Sequence, residues 1–81
     1  MRLDKYLKAS RIIKRRTIAN EACDAGRVLV NGKVARASYE VKLEDVIEVN
    51  LGTRPVKLQV KGLNEAANKD NASQNYQILE G

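Results

Sequence analysis

The chain has 81 residues, with 15 Lys and Arg against 10 Asp and Glu, one Cys, and no His, Trp or Phe. A chain this short forms one domain that buries only about 60–65% of its unfolded surface, which excludes a second catalytic domain, a doubly wound nucleotide-binding fold and a repeat array. Without His there is no imidazole acid–base chemistry and few ways to build a zinc site, and one Cys allows neither a disulfide framework nor an all-Cys metal centre within one chain.

Residues 2–9 predict a short helix. Leu3, Tyr6 and Leu7 fall at i, i+3 and i+4 and make one apolar face, while Arg2, Lys5 and Lys8 recur every third residue on the opposite side. Ser10 and Arg11 lead into a connection anchored by Ile12 and Ile13, followed by three consecutive cations, Lys14, Arg15 and Arg16. Residues 15–25 predict a second helix, with Ile18, Ala22 and Ala25 on the buried face and Ala19 and Cys23 beside it. Gly26 fits the left-handed position after a helix end. Arg15 and Arg16 stand at the helix start, where the dipole disfavours cations, which points to a role other than stability.

Asn31-Gly32 between β-branched residues is a strong hairpin signal, because both central positions of a tight turn need positive φ. It joins strands at 27–30 and 33–36. Residues 37–45 read as a loop carrying Tyr39 and Val41, and 46–51 as a strand with apolar residues at 47, 49 and 51. Residues 52–55 turn the chain, and 56–60 alternate strictly, as a half-buried strand does. Residues 64–75 have only Ala as apolar content and read as a polar loop, and 76–79 as a last short strand returning to the sheet. The expected fold is α+β: two N-terminal helices, then a small, twisted, mostly antiparallel sheet.

Charge is divided unevenly. Residues 1–36 carry ten basic and three acidic side chains, a net +7, whereas residues 37–81 carry five basic and seven acidic ones, a net −2. A concentrated positive field attracts a polyanion, so nucleic acid is the expected partner. No apolar run approaches the roughly 20 residues of a membrane span, and the opening MRLDKYLK lacks the apolar core of a signal peptide. A reducing cytoplasmic location with no membrane partner is therefore expected. With no His, no paired carboxylates and no phosphate-cradling Gly loop, no enzyme, cofactor or metal is expected.

The ordered set Arg2-Leu3-Asp4-Lys5-Tyr6-Leu7, Ser10-Arg11, a basic helix start, Gly26-Arg27-Val28-x-Val30-Asn31-Gly32 and Val41…Asp45-x-Ile47-x-Val49 resembles the S-four RNA-binding domain, also called the alpha-L motif. The resemblance spans residues 1–61, with 62–75 as a polar loop or linker and 76–81 as a C-terminal strand or tail packing on the domain. Within the family the whole chain is most similar to the stand-alone branch of Gram-positive bacteria. Neither a synthase domain nor a long basic tail of the heat-shock kind is expected, and Tyr76-x-Ile78-Leu79 resembles that branch's ending. One departure stands out: Glu44 occupies the position before Asp45 where the family usually has Gly, so the turn there is expected to differ and no RNA contact is expected at residues 40–48.

The resemblance implies a factor of ribosome-associated quality control. Such a protein binds a large ribosomal subunit still blocked by peptidyl-tRNA, contacting ribosomal RNA and the tRNA. It works there with RqcH, which recruits alanyl-tRNA, so that an alanine tail marks the stalled chain. The alternatives are a constitutive ribosome-assembly or heat-shock-type ribosome-binding protein and, less well supported, a small DNA-binding protein, since no helix shows an Asn, Gln and Arg pattern for base-edge reading. The protein is expected to act as a monomer.

The expected RNA contacts are Arg2, Lys5, Lys8, Arg11, Lys14, Arg15, Arg16, Arg27 and Lys33, led by Arg2 and Arg16, with Arg36 weaker. Guanidinium groups grip phosphate bidentately, and Lys acts as a point charge. As exposed residues, Arg2 and Arg16 should change stability within about 0.5 kcal/mol when replaced. Ser10 and Thr17 are expected to cap rather than bind phosphate, and Asn20 is expected to face solvent. Tyr6 reads as core and Tyr76 as cover for the sheet. Tyr39 is weighed as a base-stacking platform and set aside for its acidic neighbours. Cys23 reads as a buried, inert thiol.

Overall fold

A computed structural model describes residues 1–50, 52, 55–63 and 75–79. Two helices, α1 (Leu3–Ala9) and α2 (Arg16–Asp24), precede five strands: β1 (Val28–Val30), β2 (Lys33–Val34), β3 (Val46–Val49), β4 (Val56–Val60) and β5 (Tyr76–Leu79). The strands form one sheet in the order β2-β1-β3-β4-β5, and every neighbouring pair is antiparallel. The α+β architecture is the one expected from the pattern.

The period-2 alternation sends Val28, Val30, Ile47, Val49, Leu58 and Val60 to one face of the sheet, where all are buried. Leu3, Tyr6 and Leu7 of α1 and Ala19, Ala22 and Cys23 of α2 complete the same core. On the outer face Lys57 and Glu48 are register partners and make an ion pair of 3.7 Å. Small residues on α2 let it approach α1 closely. The buried stripe is Ala19, Ala22 and Cys23, so Ile18, expected on this face, is instead 43% exposed. Its position lies about 100° back from Ala19 around the helix, and the tighter Ala/Cys stripe wins the contact.

Two turns follow their residues. Ala25 ends α2 and Gly26 takes φ 78°, the left-handed conformation after a helix end. Asn31 and Gly32 have φ 53° and 83°, so both central positions of the hairpin are left-handed, and Leu29 and Val30 pair with Val34 and Lys33 across it.

Glu44 is more informative. It takes φ 73°, so the turn before β3 adopts the left-handed geometry that Gly would adopt without strain. Its side chain compensates: Oε2 accepts from Gln59 Nε2 at 3.0 Å and from Lys61 Nζ at 3.2 Å. A left-handed residue other than Gly costs about 1–2 kcal/mol, and exposed pairs of this kind return about 0–1 kcal/mol. After roughly 0.5–1 kcal/mol for the greater freedom of Gly in the unfolded chain, Glu44→Gly is expected to raise stability by up to about 1.5 kcal/mol, read as a higher urea midpoint.

Residues 64–74, expected as polar loop, lie outside the described residues. Asn75 differs from that expectation, being only 1% exposed. Its carbonyl accepts from the Tyr6 hydroxyl and from the amides of Lys61 and Gly62, and its Nδ2 donates to Ser10 Oγ at 3.3 Å. Ser10 is thus buried at the end of α1 and presents no hydroxyl to a phosphate. Burial pushes the Tyr6 hydroxyl up to about 12, fitting a core group with a fixed partner.

Candidate nucleic-acid interface

The N-terminus is fastened by backbone. Arg2 bridges Glu40 in antiparallel fashion, and the Val41 amide donates to the Met1 carbonyl at 2.8 Å. The Leu3 and Asp4 amides donate to the carbonyls of Tyr39 and Ala37 at 2.8 and 3.2 Å. The amino group of Met1 pairs with Glu40 Oε2 at 2.6 Å and holds that carboxyl below its ordinary value. Arg2 is therefore positioned by its neighbours on both sides.

Asp4 is the centre of the site. It is 1% exposed and carries an arginine on each oxygen: Arg2 Nε lies 3.3 Å from Oδ1, and Arg16 Nε 3.3 Å from Oδ2. Asn20 Nδ2 donates to Oδ2 at 3.2 Å and the Lys5 amide to Oδ1 at 2.8 Å. Both arginine side chains remain half exposed. Each uses its Nε against Asp4, which leaves its terminal nitrogens as a fork that suits a bidentate anionic acceptor. Arg2, Asp4, Arg16, Thr17, Asn20 and Glu21 line a cavity of about 410 Å³ between the starts of the two helices. Arg15 and Arg16 begin α2, whose first turn has neither a side-chain cap nor an acid, so the positive end of the helix adds to their field.

Burial would raise the Asp4 carboxyl, but the hydrogen bonds from Asn20, Arg16 and the Lys5 amide, with the Arg16 charge, outweigh it and hold the group below its ordinary 3.8. A depressed carboxyl stabilises the fold above its unfolded value and loses that contribution as pH falls through the folded one. Acid titration followed by circular dichroism should therefore show stability falling below about pH 4, with a shallower fall in Asp4→Asn.

The other predicted residues separate into groups. Lys8, Arg11 and Lys14 line one cavity of about 320 Å³ beyond the end of α1. Arg11 there takes φ 59°, a left-handed cation where Gly is the usual choice. Lys5 is half buried, Arg15 and Arg27 are exposed, and Lys33 lies with Arg36 beside the hairpin, in a different cavity from the one Arg2 and Arg16 line. Cys23 is buried, and burial, followed by the charges of Asp4 and Asp24, pushes its thiol up to about 11. No group of three or more His, Cys, Asp or Glu among the described residues is arranged to hold a metal.

Sequence reasoning gave Asp4 no part in the interface and expected Asn20 to face solvent. The available signal was that Asp4 is the lone acid among seven cations in the first 20 residues. Asn20 contacts Asp4 instead of facing solvent. The pairing also revises the stability expected of the arginines. With Asp4 buried, removing both leaves a carboxylate with fewer partners, a cost of about 1–3 kcal/mol that an ordinary exposed side chain would not carry.

The helix pair with its braced arginines over an antiparallel sheet is an S4-type domain, and a model of the S4 domain family matches residues 1–47. The RQC P-site tRNA stabilizing factor of Bacillus subtilis is 48% identical over 79 residues, covering 98% of this chain and 92% of that protein. Its namesake in Streptococcus pneumoniae is 44% identical, over 98% of this chain and 90% of that one. The trimeric structure of heat shock protein 15 from Vibrio cholerae matches with a TM-score of 0.90 at 28% identity, covering 98% of this chain and 81% of that one. The chain therefore belongs to the S4 family and, within it, to the RQC P-site tRNA stabilizing factors, the RqcP group.

Proposed function

We propose that this protein is a non-catalytic RNA-binding factor of ribosome-associated quality control. It binds obstructed large ribosomal subunits, contacts ribosomal RNA and the peptidyl-tRNA they carry, and supports RqcH-dependent alanine tailing of the stalled chain. It acts in the cytoplasm and as a single copy. The observation that carries this reading is the Arg2–Asp4–Arg16 constellation on a chain 44–48% identical to RQC P-site tRNA stabilizing factors over nearly its whole length. A buried carboxylate that fixes two half-exposed guanidinium groups reduces the entropy lost when both grip a phosphate backbone. The contact set is Arg2 and Arg16 first, with Lys5, Lys8, Arg11, Lys14 and Arg15 extending the field and Arg27 and Lys33 reaching a second stretch of backbone.

The likeness to heat shock protein 15 favours one second reading, a constitutive or heat-shock-type ribosome-binding protein. Sedimentation separates the two. A lysate is resolved on a sucrose gradient and each fraction is probed for the protein and for peptidyl-tRNA. Signal confined to free large subunits rich in peptidyl-tRNA supports the quality-control role. An even distribution over all large subunits supports the second reading, and absence from every ribosomal fraction contradicts both. Binding to ribosomal RNA should also weaken steeply with salt. Five phosphate contacts correspond to a log–log slope of roughly −3 to −4 on single-strand scaling, measurable by filter binding.

A further inference from the structure

A second cavity, of about 660 Å³, lies between the β1–β2 hairpin and the loop that follows it. Its size is within the roughly 300–1,000 Å³ of small-ligand sites. Besides Lys33 and Arg36 it is lined by Val30, Asn31, Val34, Ala35, Ser38 and Tyr39, with Val34 62% exposed and Tyr39 half-buried against the core. Its rim holds Lys33 and Arg36, both exposed and neither in an ion pair among the described residues. An apolar floor, an aromatic ring and two cations together suit a nucleobase with its phosphate. Phosphate alone would have no use for the floor.

The ring is held in place. The Tyr39 hydroxyl donates to Asp45 Oδ2 at 3.0 Å, and its amide donates to the Arg36 carbonyl at 3.0 Å. Burial, with the hydrogen bond to Asp45 and its charge, raises the hydroxyl above its ordinary value. The carboxylate of the acidic neighbour is held by hydrogen bonds within the fold. Asp45 is 8% exposed and its oxygens are taken by Asn31 Nδ2, the Tyr39 hydroxyl and the Lys42 amide. The same carboxylate therefore ties the hairpin turn to the ring, and so fixes two walls of the cavity. The site also adjoins the arginine pair, because Leu3 and Asp4 hydrogen-bond to the backbone of Tyr39 and Ala37.

We propose that this cavity seats one unpaired RNA nucleotide, its base against Tyr39 and its phosphates on Lys33 and Arg36, next to backbone gripped by Arg2 and Arg16. The proposal rests on the RNA-binding reading and adds to it a preference for single-stranded over fully paired RNA. Stacking tolerates any base, so the preference is for an extruded nucleotide more than for a sequence.

The test uses the full chain and two fluorescent RNAs, a stem with a single-stranded loop and the same stem as a blunt duplex, read by anisotropy. Tyr39→Ala should weaken binding of the looped RNA about fivefold or more and leave the duplex unchanged. Val34→Asp, at an exposed position where folding is not at stake, should do the same by placing a charge on the floor. Tyr39→Phe keeps the ring and should retain most of the looped-RNA affinity. Equal weakening on both RNAs by Tyr39→Ala and Val34→Asp would make the cavity a scaffold element and overturn the proposal. So would unchanged binding of the looped RNA by both variants. Failure of the wild-type chain to bind either RNA would overturn the RNA-binding reading itself, a result distinguishable from binding both RNAs with no effect of Tyr39.

Discussion

Replacing Arg2 and Arg16 together by Ala should lower affinity for ribosomal RNA by about a hundredfold or more while leaving a folded domain. Hydrogen bonds from a charged donor are each worth about 1.5–3 kcal/mol, and about 1.4 kcal/mol is tenfold in affinity. The two side chains sit on opposite oxygens of one buried carboxylate, so they act as a unit and the double variant is the informative one. Stability falls as well, because among the described residues Asp4 then keeps Asn20 and the Lys5 amide. Circular dichroism must accompany the binding measurement to separate the two effects. Arg16→Lys sharpens the result. A Lys keeps the charge but cannot brace against Asp4 and fork onto phosphate at once, so a lysine variant that binds RNA like wild type would show that only charge matters here.

The largest effect on the fold is expected from Leu58→Ala. Leu58 is fully buried at the middle of β4, with Ile47 of β3 opposite it on one side and Ile78 of β5 on the other. Truncating a buried Leu to Ala costs about 2–5 kcal/mol, against a total near 0.05–0.15 kcal/mol per residue for ordinary domains. In 81 residues that is a large part of the whole, and urea denaturation should show a markedly lower midpoint. Val34→Ala, at a 62% exposed position, should barely move it. Comparable losses at the two positions would contradict the assignment of the core.

Where local chemistry decides geometry, the fold was legible in the residues themselves. Leu3, Tyr6 and Leu7, the Asn31-Gly32 turn, Gly26 and the alternation of 56–60 each carry their own signal, and each sits as its pattern requires. Residues whose placement depends on distant partners were not legible. Ile18 looked like core by periodicity, but the contact between the helices is decided by which stripe packs more closely. Asn75 sat in a polar run and is buried, because Tyr6 and Ser10, far away in sequence, supply its partners. Glu44 stands where the family usually has Gly, yet the turn keeps its left-handed form, since Gln59 and Lys61 meet the side chain across β4.

The interface divides in the same way. A basic front half announces a polyanion, and a count of charge along the chain suffices to find it. Asp4 was hidden, because one carboxylate among seven cations reads as a stray charge until the fold brings Arg2, Arg16 and Asn20 onto its two oxygens. The sequence places acidic residues around Tyr39, and one of them, Asp45, takes three donors in the structure, among them the Tyr39 hydroxyl. In both cases the missing information was which groups hold the carboxylate oxygens, cationic and neutral donors for Asp4 and neutral donors for Asp45, and that is a property of three-dimensional contact.

Cosedimentation of the purified chain with purified large ribosomal subunits, with and without peptidyl-tRNA, tests the central claim most directly. The account predicts saturable binding that is stronger on the tRNA-bearing subunits, declines steeply with salt, and is abolished in the Arg2→Ala, Arg16→Ala double variant. Binding that ignores peptidyl-tRNA, or that survives the double substitution in a folded protein, would contradict it.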